Sequence, residues 1–307
     1  MSVTDIHFVW RLHVRVFVTG ATGFIGSAVV PELLSAGHEV VGLARSDASA
    51  RALAAAGAEV HRGDLEDPDS LRAGAAGADG VIHLGFIHDF DRFDASVRAD
   101  RAAIETLGAV LEGSGRPLVI ASGTLGIAPG RVATELIPFD AKGHPRLANA
   151  LVALSLKDRG VRSAAVRLAP SVHGEGDHGF VRRLVEIAGE KGVSGHVGDG
   201  SNRWSAVHRM DAARLFRLAL ESAPAGSILH GVAEEAVTIR TLAEAIATRL
   251  KLPLTSIPPE AATEHFGWLG AFLGFDQPAS SALTQQRMGW RPTHPGLIQD
   301  VVAGWYA

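Results

Sequence analysis

Val14-Arg-Val-Phe-Val-Thr19-Gly20-Ala-Thr-Gly23-Phe-Ile-Gly26 decides the fold of this chain. The apolar, β-branched run from Val14 to Thr19 reads as a buried strand, and Ser27 to Ala36 continues with helical periodicity. Between them stand three glycines. A strand that passes through a tight turn of residues without Cβ atoms into a helix N-terminus makes a phosphate cradle. Free N–H groups and the positive end of the helix dipole then face the anion. Val40-Val-Gly-Leu-Ala44 reads as the next strand, so Val14 to Ala44 has the length of one βαβ unit. The spacing predicts a dinucleotide site in which Gly20, Thr22, Gly23, Phe24, Ile25 and Gly26 surround the pyrophosphate.

The tip of the second strand selects the dinucleotide. An acidic side chain there would accept hydrogen bonds from the adenosine ribose and repel a 2′-phosphate. This chain places Arg45-Ser46 at the tip, a cation and a hydroxyl, which favours NADP. Asp47 would suit NAD if it turned inward.

Composition narrows the class. The 307 residues are 47% hydrophobic and carry a net charge of −4, without the basic cluster that nucleic acid requires. The absence of cysteine excludes disulfides and thiolate chemistry. No apolar run approaches the length of a membrane span, and Met1 to His13 lacks the pattern of a signal peptide, so a soluble cytoplasmic protein is expected. No HExxH or comparable metal-ligand spacing occurs. Residues 14–168 alternate short β-branched runs with helical patterns. Strands are expected near 14–19, 38–44, 58–62, 79–84, 117–122 and 161–168, with helices near 24–36, 47–56, 68–75, 92–113 and 145–159. Beyond Pro170 the rhythm breaks. Helices are expected at 180–191, 211–222 and 241–250, a returning strand at Ile228-Leu-His-Gly231, and lid elements around Pro253, Pro258, Pro259 and the apolar stretch 264–275.

These segments resemble the extended short-chain dehydrogenases/reductases, a group that includes epimerase/dehydratase-like enzymes. The resemblance covers nearly the whole chain after residue 13. The glycine loop is similar to the family's nucleotide loop. Gly63-Asp64-Leu65 is similar to its adenine-contacting segment, and Val81-Ile-His-Leu84-Gly85 to its fourth strand and cofactor-facing turn. Leu118-Val-Ile-Ala-Ser122 is similar to the strand that ends in the catalytic serine. Val166-Arg-Leu-Ala-Pro170-Ser-Val172-His173-Gly is similar to the loop closing over nicotinamide, and Gly289-Trp-Arg-Pro292 also recurs in the group. The resemblance implies an α/β fold: a Rossmann-type doubly wound parallel sheet with a smaller, interleaved C-terminal substrate-binding domain. The division expected is 1–13 as an N-terminal extension and 14–168 as the dinucleotide domain with 207–232 returning to it. Residues 169–206 and 233–307 form the substrate region. The helices at 92–113 and 145–159 resemble the family's dimer interface, which implies a homodimer with no nucleic-acid or membrane partner.

One departure governs the chemistry. The family's proton donor is a tyrosine with a lysine four residues later on one helical face. Here Tyr306 is the only tyrosine, and Lys142, Lys157, Lys191 and Lys251 follow Pro138, Ala153, Ile187 and Ala247 at that spacing. The helix expected to carry the pair, Arg146-Leu-Ala-Asn149-Ala-Leu-Val-Ala-Leu154, has neither phenol nor amine. Ser122 and Thr124 can donate hydrogen bonds to a carbonyl oxygen. His173, with Asp177 as its orienter, and His88 titrate in a useful range, and His144 and Arg146 fall near the place of the tyrosine. The expected catalytic set is Ser122, Thr124 and His173.

Three functions compete. The first is an NADP-dependent reductase of a ketone, aldehyde or imine, where a protonated imine would need no strong acid. The second is a non-catalytic NADP-binding redox sensor. The third is epimerase or dehydratase chemistry on a nucleotide sugar, which the missing tyrosine disfavours. Phe180, Trp204, Phe266, Trp268, Phe272 and Phe275 would make the substrate apolar if they line its pocket.

Overall fold

The computed structural model describes residues 13–89, 92–140 and 145–306. The expected N-terminal extension apart from His13, and His144, lie outside them.

The first half runs β1 (Arg15–Thr19), α1 (Gly26–Ser35), β2 (Glu39–Ala44), α2 (Asp47–Ala55), β3 (Glu59–Arg62), α3 (Pro68–Ala76), β4 (Gly80–His83), α4 (Phe93–Leu111), β5 (Pro117–Gly123), α5 (Pro145–Ser155) and β6 (Arg162–Leu168). It continues through β7 (Ser171–His173), α6 (Phe180–Lys191), β8 (Ser194–Val197), β9 (Arg203–His208), α7 (Arg209–Ser222) and β10 (Ser227–Gly231). The chain closes with β11 (Glu234–Thr238), α8 (Ile239–Leu250), β12 (Leu254–Ile257), α9 (Ala262–Phe266), α10 (Ala282–Met288) and α11 (Leu297–Ala303). Local chemistry sets several of these starts. Ser46 and Ser49 form a reciprocal cap on α2, and Asp67 caps α3 with Pro68 in the first helical position.

Seven strands form one parallel sheet in the order β10-β6-β5-β4-β1-β2-β3. This is the doubly wound sheet expected from the βαβ rhythm, and β10 supplies the returning strand at 228–231. The strand order reverses between β1 and β4, so the ligand crevice of such a sheet falls beyond their carboxyl ends. Helices cover both faces, as a parallel sheet requires. Val16, Val18, Ile82, Val119 and Val166 pack into one core with α1 and α7. Phe17, Val81, Leu118, Ile120 and Ala165 pack into the other with α4 and α5.

Alternation along the strands has a consequence at the carboxyl edge. Thr19, His83, Ser122, Arg167 and His230 have the parity of the α4/α5 face. Register pairs Thr19 with His83, and Ser122 with Arg167, which in turn pairs with His230. Five buried polar residues therefore follow one another across the sheet where its apolar core ends.

Two small sheets, β11-β9-β7 and β12-β8, build the remaining lobe. Its core joins Val181, Leu184, Trp204, Leu242, Ile246, Phe266 and Leu269. The lid expected at 253–275 is therefore corrected. Leu254–Ile257 is a strand paired with β8, and Phe266, Leu269 and Leu273 of the stretch after it pack into the core. The ring of Phe180 lies 5.8 Å from Trp204 and 5.4 Å from Phe272, and Trp204 stacks on Phe272 at 5.9 Å. Trp204 and Phe266 are buried and Phe180 and Phe272 pack on the same core, so these four hold the lobe together, while Trp268 and Phe275 are exposed. The Gly289-Trp-Arg-Pro292 segment is likewise a staple. The Trp290 indole is buried and donates to the Asp211 carbonyl at 3.0 Å, while the Asp211 carboxylate accepts from the Thr293 and His294 N–H groups.

Candidate active site

The cradle is built as its glycines demand, each for a different reason. Gly20 has φ +65°, and a Cβ there would lie 2.6 Å from the Gly85 nitrogen, so the turn packs directly on the end of β4. A Cβ on Gly26 would lie 2.1 Å from the Gly20 carbonyl, which seals helix α1 against the loop. A Cβ on Gly23 would meet only the Gly20 carbonyl, at 3.2 Å, so its other side is open. Gly23 is thus the place where a ligand backbone can approach. Ile25 caps α1 without any side-chain hydrogen bond, leaving the helix start to an incoming anion. The residues fit a dinucleotide pyrophosphate.

Thr22, Phe24 and Ile25 line the same turn, and Phe24 brings in two neighbours that sequence reasoning missed. The Arg209 guanidinium, at the start of α7, lies 5.4 Å from its ring, with Nη1 3.5 Å from the Ser27 hydroxyl. The His178 ring lies 5.7 Å away on the loop after β7. Nothing local marked them, because Arg209 is 182 residues from Ser27.

At the adenine end, Leu65 lies against Gly85, where a Cβ would sit 2.9 Å from both Leu65 methyls. The Leu84 nitrogen donates to the Thr19 carbonyl. Arg45 is 76% exposed and only loosely paired with Asp64, at 3.8 Å. Ser46 spends its hydroxyl capping α2. Asp47 turns to Arg62 at the end of β3, not inward toward the ribose.

Behind the cradle lies a buried network. The Asp100 carboxyl would be raised by burial. Hydrogen bonds from His83 and Asn149 and the nearby charge of Arg146 outweigh this and hold it below the usual range. With Asp100 ionised, His83 Nε2–H donates to it at 3.2 Å, and Nδ1 accepts from the Thr19 hydroxyl at 2.7 Å. The Thr19 oxygen in turn accepts the Gly85 N–H at 3.1 Å. Asn149 of α5 donates to Asp100 at 2.7 Å and to the Val97 carbonyl at 2.9 Å. The helix expected to carry phenol and amine thus presents Arg146 and Asn149, neighbours one turn apart.

Ser122 ends β5 on the face covered by α5. Its hydroxyl is buried and has no hydrogen-bond partner among the described residues. Thr124 is engaged, its N–H and hydroxyl both directed at the Leu168 carbonyl. Pro170 follows β6, and Val172, expected in a loop, lies in β7, where it pairs with Val207 of β9.

His173 is placed otherwise than expected. It is fully buried, and its Nδ1 lies 2.6 Å from the Asp300 carboxylate of α11. Its orienter is Asp300 rather than Asp177, whose Oδ1 accepts the Gly179 N–H. Asp177 is raised above the usual carboxylate range by burial. Tyr306 is buried beside it; burial, then Asp177, push its phenol well above the ordinary value, and it lies far along the chain from α5. His88 is lowered by desolvation, then by Arg146 and His178, so it is neutral at pH 7.

A cavity of about 1050 Å³ at the opposite, amino-terminal edge of the sheet, lined by His38, Arg116, Arg162 and Arg217 among others, shares no residue with this site. No helix among the described residues is long and apolar enough to cross a membrane.

A parallel doubly wound sheet with a glycine cradle at its switch point defines a dinucleotide-binding protein. The chain belongs to the NAD dependent epimerase/dehydratase family, whose pattern matches residues 16–230. It is 49% identical over 293 residues to an uncharacterized protein of Schizosaccharomyces pombe, covering 95% of this chain and 99% of that one. A 2-alkyl-3-oxoalkanoate reductase of Stenotrophomonas maltophilia is 28% identical over 231 residues, 71% of this chain and 69% of the relative. In fold, the chain is similar to dTDP-glucose 4,6-dehydratase from Streptomyces venezuelae, solved with NAD and TYD. The TM-score is 0.74 at 23% identity, covering 95% of this chain and 96% of that one.

Proposed function

We propose that this protein is an NADP(H)-dependent oxidoreductase that reduces a C=O or C=N bond of a small molecule. The observation that carries this reading is the buried, unpartnered Ser122 hydroxyl at the carboxyl end of β5, one strand from the crevice. A buried hydroxyl without a partner is costly unless a ligand completes it. Gly20, Gly23 and Gly26 would hold the pyrophosphate, Leu65 and Gly85 the adenine side, and Pro170 and Val172 the nicotinamide side. Arg45, exposed and without a tight partner, would meet the 2′-phosphate. When bound, the cofactor supplies the hydride.

The rest is done by this chain. Ser122 donates a hydrogen bond to a carbonyl oxygen, or accepts one from the N–H of a protonated imine, and fixes the electrophile's distance from the crevice. Thr124 holds the end of β5 to β6 so that the serine keeps its place. The Thr19–His83–Asp100–Asn149 network braces the turn at Gly85. A protonated imine carries its own proton, and a ketone would take one from water. The reductase named among the relatives supports the same reaction type.

The test follows NADPH consumption across ketones, aldehydes and cyclic imines. Ser122→Ala removes no internal hydrogen bond, so stability and NADPH affinity should hold. Turnover should fall roughly 10- to 1,000-fold, the range for one lost transition-state hydrogen bond. An undiminished variant would sink the assignment. Binding without turnover on every substrate would favour the sensor reading, for which the absence of phenol and amine from α5 speaks.

A further inference from the structure

Arg146 makes no hydrogen bond and no ion pair among the described residues, and its Nε is buried. Its guanidinium stacks over the Phe86 ring at 4.0 Å. The one carboxylate acting on it, Asp100, has its two oxygens engaged by His83 and Asn149. The protein therefore leaves the N–H groups of this guanidinium without a hydrogen-bond acceptor, although Asp100 offsets part of its charge. Arg146 is half-buried, with part of its surface left to solvent. It stands at the start of α5, on the sheet face that Ser122 shares. Phe86, just after the Gly85 turn, packs against both Arg146 and the His88 ring, at 4.0 and 5.2 Å, which sets Arg146 beside the segment that ends β4.

We propose that Arg146 receives a carboxylate carried by the substrate, while Ser122 holds the group to be reduced. The inference rests on the proposed reductase function and names its substrate class: an oxo or imino acid. A planar carboxylate matches one guanidinium with two parallel hydrogen bonds and one unit of charge. A phosphomonoester would retain charge that one guanidinium cannot match. The guanidinium is planar by delocalisation, and stacking on Phe86 occupies its face while leaving its N–H edges for hydrogen bonding.

The test uses full-length protein saturated with NADP+ and three eight-carbon probes: octanoate, octanamide and octyl phosphate. Calorimetry should show octanoate binding roughly tenfold to a hundredfold more tightly than octanamide, the range of one charge-assisted pair. Arg146→Met should collapse that ratio to near unity, and Arg146→Lys should restore part of it. Equal octanoate affinity in wild type and Arg146→Met, or octyl phosphate as the tightest probe, would overturn the proposal. Kinetics with 3-oxooctanoate and its ethyl ester separate this inference from the one beneath it. If nothing is reduced while octanoate binding still depends on Arg146, only the reductase reading fails. If acid and ester are reduced alike and Arg146→Met changes neither, only the carboxylate site fails.

Discussion

Single residues divide here into those the fold needs and those a ligand needs, and the three cradle glycines show the difference. A side chain at Gly26 would run into the Gly20 carbonyl at 2.1 Å, whereas one at Gly23 would press on it only at 3.2 Å and is otherwise open. Gly23→Val should therefore lose NADPH binding with a smaller drop in melting temperature than Gly26→Ala shows. Calorimetry with thermal denaturation on both variants checks this; retained NADPH affinity in Gly23→Val would mean the cradle is misassigned. Arg45 makes a second residue-scale prediction. Charge-assisted hydrogen bonds to a 2′-phosphate contribute roughly 1.5–3 kcal/mol, or about tenfold to a hundredfold in favour of NADPH over NADH. With Asp47 turned to Arg62, no carboxylate from the tip of β2 opposes this. Arg45→Asp should erase or reverse the preference, and equal affinities in wild type would refute it.

Among the elements, α5 is the most informative. Its inward face follows ordinary packing rules, with Leu147, Ala150 and Ala153 on the sheet. Its departures are at Arg146 and Asn149. Asn149 is absorbed by Asp100 and Val97, so it ties α5 to α4 rather than presenting an amine to the crevice. β10 carries the other element-scale result. Its His230 Nδ1–H donates to the Ser280 carbonyl at 2.8 Å, which leaves Nε2 as the acceptor facing Arg167 at 3.4 Å. A proton on that nitrogen would set two cations against each other. Burial first, with Arg167 adding and Glu135 opposing, pushes its pKa down to about 4.

At the scale of the whole molecule this histidine becomes a stability statement. The unfolded chain holds the proton up to a pKa of about 6.5, the native one only below about 4. The unfolded state therefore binds more protons between those values. Stability is complete above about pH 6.5, declines as pH falls toward 4, and levels off below. Half-buried His208, lowered to about 4 chiefly by desolvation, adds in the same direction. Melting temperature should fall across this window. His230→Gln, which keeps an acceptor for Arg167, should reduce the slope of stability against pH by about one proton at pH 5; identical slopes would show that His230 does not carry the effect.

The βαβ rhythm, the glycine cradle and the strands of the large sheet were legible from the residues themselves, to within about a residue at each strand. Period-2 and period-3.6 patterns and turn chemistry are properties of near neighbours, and buried parallel strands announce themselves as continuous β-branched runs. The small sheets were not legible, because β8 and β12 are no shorter than β3 and β4 but lack the regular βαβ alternation that framed those strands. Nor could the sequence choose partners for its polar residues. His173 looked toward Asp177 four residues away, but its carboxylate is Asp300, 127 residues on. Thr19, His83, Asp100 and Asn149 are joined across separations of 17 to 64 residues. Burial decides such pairings: once water is excluded, each polar group must take whatever partner packing brings within reach. By the same rule the buried Nε of Arg146 has no acceptor among the described residues, which only the packed chain shows.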